Sequence, residues 1–146
     1  MAIVAGVSLV WGSAATAQDS GEVSAAVHGG TCDDLGSEVA SLDAPRPDRG
    51  DWVGVENLGV VLESETDDVA PGEDLLSSPH SVVVFSEGNP VACGEIGGYV
   101  DDDDLRIGLQ PVDDSGYFGI ASIDDIDDDD DDDEVEIDLS VFQPAI

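Results

Sequence analysis

Apolar residues fall on every second position along much of this chain. Val135-Glu-Ile137-Asp-Leu139-Ser-Val141 alternates strictly, which places the apolar side chains on one face of a strand and the polar ones on the other. Leu105-Arg-Ile107-Gly-Leu109 repeats the pattern, and Tyr117 to Ile123 carries it a third time. Ser81 to Ser86 (SVVVFS) is instead apolar without a break and flanked by turn residues, which predicts a strand buried on both faces. Weaker strand signals cover Val23 to His28, Leu35 to Leu42, Trp52 to Glu65 (one long strand or a hairpin) and Val91 to Val100, the last interrupted by Gly94, Gly97 and Gly98. Pro71 to Leu76 reads as a turn followed by one helical turn, and the loop Ala44 to Asp51 contains Pro45 and Pro47, which cannot donate to a ladder. No helix-length amphipathic period competes with these signals. The pattern predicts an all-β Greek-key β-sandwich of about seven to nine strands. Its predicted core is Val82, Val84, Val91, Ile96, Ile107, Leu109, Ile120, Val135, Ile137 and Leu139.

Charge adds a habitat to this picture. The 146 residues carry 35 acidic side chains against 3 basic ones, a formal net charge of −32, and no lysine. Such a chain repels itself at low ionic strength, whereas at 1 M salt the Debye length is only about 3 Å. The acidic shell therefore suits a protein of a halophilic microbe. It lacks the basic footprint that nucleic acid requires, and an anionic membrane would repel it. Cations, basic proteins and neutral surfaces remain as partners.

Ala2 to Ala17 contains no charge, and Ala15-Thr16-Ala17 fits a small-residue cleavage site before Gln18. Residues 1–17 are thus expected to be a secretion signal, leaving 18–146 as one exported domain with no membrane span. In an exported chain the pair Cys32 and Cys93 predicts one disulfide. Two aspartate blocks stand out, Asp101 to Asp104 and Asp127 to Asp133, the second within an acidic loop at 124–134. Residues Asp101, Asp102, Asp103, Asp104, Asp127, Asp128, Asp129 and Asp130 are candidates for weak Ca²⁺ binding, but neither block has the glycine and glutamate positions of a shaped calcium loop. The favoured reading is a solvated face. An Arg-Gly-Asp triplet at Arg49 to Asp51 is short enough to recur by chance.

Four segments resemble a group of small secreted bacterial and archaeal proteins: His28-Gly-Gly-Thr-Cys32-Asp-Asp-Leu-Gly36, Leu75-Leu-Ser-Ser-Pro-His80-Ser-Val-Val-Val-Phe85, Ala92-Cys-Gly-Glu-Ile-Gly-Gly98 and Asp114-Ser-Gly-Tyr-Phe-Gly-Ile-Ala121. That group is distantly similar to copper/zinc superoxide dismutases and to chordin-type (CHRD) domains, which implies a Greek-key sandwich. Ala92-Cys-Gly-Glu-Ile-Gly97 resembles the dismutases' closing segment. Because three further strands follow it here, the resemblance implies a circularly permuted relative. The metal site does not carry over. Ala26 and Phe85 stand where the dismutase pattern has histidines, and only His28 matches a copper ligand.

The chain has no nucleophile elbow and no phosphate loop, so no catalytic residue is assigned. The expected function is a secreted, non-catalytic binding or structural module without a cofactor. Two alternatives are one copper or zinc ion held at His28 and His80, and a calcium-dependent surface protein using the aspartate loops.

Overall fold

The computed structural model describes residues 22–47, 53–55, 58–126 and 134–145. The expected signal segment 1–17, the Arg49 to Asp51 triplet, Trp52 and the run Asp127 to Asp133 lie outside the described residues.

The described chain is almost entirely antiparallel β-structure. In chain order the strands are β1 (Val23–Thr31), β2 (Asp34–Leu42), β3 (Arg46–Pro47), β4 (Val60–Thr66), β5 (His80–Ser86), β6 (Asn89–Glu95), β7 (Val100–Asp101), β8 (Asp104–Pro111), β9 (Phe118–Asp124) and β10 (Glu136–Gln143), with one short helix, α1 (Gly72–Ser77). The hydrogen-bonded order is β2-β1-β5-β6-β8-β9-β10-β4-β3, with β7 paired to β8. The neighbours β1/β5 and β10/β4 are not consecutive in sequence, so the chain crosses between the two halves as Greek-key connections do.

β8 joins the halves. Its Gln110 and Pro111 pair with Cys93 and Ala92 of β6, while its Leu105 to Leu109 pair with β9. The two backbones approach so closely at this corner that a Cβ on Gly94 would sit 2.5 Å from the Gly108 carbonyl oxygen. Glycine at 94 is therefore a condition of the curl. The result is a first sheet, β2-β1-β5-β6, and a second, β8-β9-β10-β4-β3, continuous through β8 and closed on one core. β1 and β10 share no ladder, yet Val27 and Leu139 belong to the same buried cluster.

The alternating segments fold as their patterns predict. Leu105, Ile107 and Leu109 of β8 point inward, as do Ile137, Leu139 and Val141 of β10. In β5, Val82, Val83 and Val84 are all buried, as a continuous apolar run requires. Leu75 of α1 is wholly buried, and Gly72 lies against the Ile126 carbonyl with no room for a Cβ.

Three expectations need correction. The strand expected from Trp52 to Glu65 occupies only Val60–Thr66. The segment Val91 to Val100 divides into β6 and the two-residue β7, with Gly97 and Gly98 between them. Ile120, expected in the core, is exposed. Ile123 pairs with Leu105 and Ile137, both buried, and this register fixes the parity of β9. Ile120 lies three residues away and so faces out, which no propensity of its own can reverse.

Candidate functional site on the outer face of the second sheet

The expected disulfide is formed between Cys32 and Cys93. Cys93 shares an outward-facing row with Ala26 and Val83, and all three are buried. The bridge draws the β1–β2 hairpin tip to this row. The Cys32 amide donates to Glu95 Oε1, the Gly30 amide to the Pro79 carbonyl, and Ser81 Oγ to the Gly30 carbonyl.

The two histidines lie on adjacent strands but are not brought together. His28 pairs with Ser81, and His80 pairs with Gly29, one step along the ladder and therefore on the opposite face. His28 Nδ1 donates to the Gly36 carbonyl, and its ring lies 5.6 Å from that of Phe85. His80 Nδ1 donates to the Ser78 carbonyl.

Asp101 to Asp104 forms a tight hairpin between β7 and β8. Asp101 pairs with Asp104, while Asp102 and Asp103 adopt φ of 49° and 66°. Aspartate tolerates that left-handed conformation because its side chain satisfies nearby backbone. This block thus serves as a turn. Asp127 to Asp130 lie outside the described residues.

A different constellation appears on the outer face of the second sheet. Antiparallel pairing sets Val61, Phe142 and Phe118 in one row across β4, β10 and β9. The next row holds Glu63, Ser140, Ile120 and Gly108, and the next Glu65, Asp138, Ser122 and Arg106. Beyond these, Glu136 faces Asp124. One end of the face is consequently apolar: Val61, Phe118 and Ile120 are 52%, 50% and 54% exposed, and the Phe118 and Phe142 rings stack at 4.8 Å. Ile120 stands open because its neighbours, Gly108 and Ser140, are too small to cover it.

The other end is acidic. Ligand oxygens of Glu65, Glu136 and Asp138 lie within 4.8 Å of one another, the one such grouping among the described residues. A hydrogen bond with Asp67 pushes the Glu136 carboxyl up to about 7, aided by burial and by the charges of Glu65 and Asp138. Burial raises Asp138, with Asp124, Glu65 and Asp67 adding to it, and its Oδ1 is buried without a hydrogen-bond partner among the described residues. Asp104 is raised by burial and by Asp124, against the opposing pull of Arg106. The face thus presents a negative field beside an apolar surface.

Sequence alternation carried half of this arrangement: Glu136 and Asp138 are the polar positions of the last strand. It could not reveal that β4 would lie beside β10, since about half the chain separates the two. Family models, curated proteins and solved structures were compared with this chain, and none matches it.

Proposed function

We propose that this chain is a secreted, halophilic, non-catalytic β-sandwich module that acts outside the cell by binding through the outer face of its second sheet. The observation that carries the reading is the contiguous apolar patch of Val61, Phe118, Ile120 and Phe142 on three neighbouring strands. Exposed apolar side chains gathered into one patch mark interaction surfaces, whereas single ones do not. The Cys32–Cys93 bridge suits an oxidising compartment, and a net charge of −32 suits high salt. The dismutase-like and chordin-type kinship enters as a proposal about fold ancestry.

The test is fluorescence of the neutral dye Nile red in about 1 M NaCl, where repulsion is screened beyond about 3 Å. The wild-type chain should enhance the dye's emission, and a Val61→Thr/Ile120→Thr variant should lose most of the enhancement. Equal enhancement by both proteins would remove this face as the binding surface.

A further inference from the structure

We infer that the occupant of this face is a protein segment bearing apolar side chains at one end and lysine or arginine at the other. The inference rests on the binding-face reading above and adds the chemistry of the partner.

Register puts both halves of the surface on the same strands. On β10, Phe142 belongs to the apolar row and Asp138 to the acidic one, four residues apart, or about 13 Å along a strand. On β4, Val61 and Glu65 repeat that spacing. A segment that places a cation about 13 Å from an aromatic or branched side chain spans the two ends. Extended backbone does so in about four residues.

The acidic end is crowded with like charge. Glu65, Glu136 and Asp138 converge from two strands, with Asp67 bonded to Glu136 and Asp124 facing it from β9. The described arginines stand at the margins: Arg46 opposite Glu63 on the edge strand, Arg106 opposite Ser122 on β8. A guanidinium or ammonium arriving over Glu65 and Asp138 adds counter-charge that the two described arginines supply only from the margins. A second copy of the chain is a poor occupant, because two chains of −32 net charge repel and a pair of these faces would oppose carboxylates to carboxylates.

The experiment titrates the full chain with a labelled synthetic peptide carrying Phe and Ile at one end and Arg and Lys four residues on. A matched peptide has Gln at the cationic positions. Fluorescence anisotropy is read at about 0.15 M and about 1 M NaCl. Three variants are compared: Val61→Thr/Ile120→Thr, Glu65→Gln/Asp138→Asn, and a control, Glu38→Gln/Glu73→Gln, at exposed positions outside this face. All the changes in the face are conservative, and near-UV circular dichroism verifies the fold of each variant.

The expected result is that either face variant weakens the cationic peptide about tenfold, the control changes it less than about twofold, and the Gln peptide binds about tenfold more weakly. Equal weakening by the control would show attraction to bulk charge only and overturn the inference. Equal binding of the Gln peptide, or no peptide binding while Nile red still reports the patch, would overturn the cationic partner and leave the binding face standing. Self-association lost in the Ile120 variant would make the occupant a second copy and likewise overturn it. Loss of both dye and peptide binding would sink the binding-face reading itself.

Discussion

Phe118 of β9 and Phe142 of β10 are cross-strand partners whose rings stack 4.8 Å apart on the outside of the sandwich. A stacked aromatic pair on a sheet surface contributes about 0.5–1.5 kcal/mol beyond its area. Phe118→Ala should therefore lower stability by about 1 kcal/mol without unfolding the domain, read as a shift of the urea midpoint at unchanged m-value. A cost several times larger would mean that the pair belongs to the core.

Leu75 offers the contrast. It is wholly buried although it sits on a helix of only six residues. Leu75→Ala should cost about 2–5 kcal/mol, whereas Ile120→Thr should cost under about 1 kcal/mol. Equal costs for the two in urea unfolding would contradict the inside–outside assignment of β9.

The Cys32–Cys93 bridge closes a loop of 61 residues. On the chain-entropy account its loss costs about 4 kcal/mol. A Cys32→Ser/Cys93→Ser variant should show this drop, and reduction of the wild-type chain should reproduce it.

Glu136 makes stability depend on pH. Its carboxyl is held at about 7 in the folded chain against an ordinary value of 4.5, chiefly by the hydrogen bond with Asp67. Between those values the folded chain holds more proton than the unfolded one, so this site's contribution is full below about pH 4.5. It falls as pH rises toward about 7 and is flat above. Urea midpoints measured from pH 5 to 8 at fixed NaCl should decline for the wild type and decline less for Glu136→Gln. Parallel declines would assign the slope to other carboxyls.

Asp103 tests the turn. Its φ of 66° favours residues that tolerate the left-handed region. Asp103→Gly should be neutral or mildly stabilising, while Asp103→Val should cost about 1–2 kcal/mol, compared again by urea unfolding.

The sequence by itself determined the strands whose pattern is strict, because alternation in Leu105 to Leu109 and Val135 to Val141 places one set of side chains inside and the unbroken Val82 to Val84 run is buried throughout, but it did not determine the limits of the strands expected at Trp52 to Glu65 and Val91 to Val100. It also determined which cysteines could pair, and the structure shows that they do. Tertiary structure decided what lies beside what. Parity on β9 depends on which neighbours Ile123 meets, so Ile120 was legible as apolar but not as exposed. The rows that unite Val61 with Phe142, and Glu65 with Asp138, exist only because β4 returns beside β10. Local propensity ends within a few residues, and hydrogen bonding between distant strands set the register that placed the acidic and apolar halves on one surface.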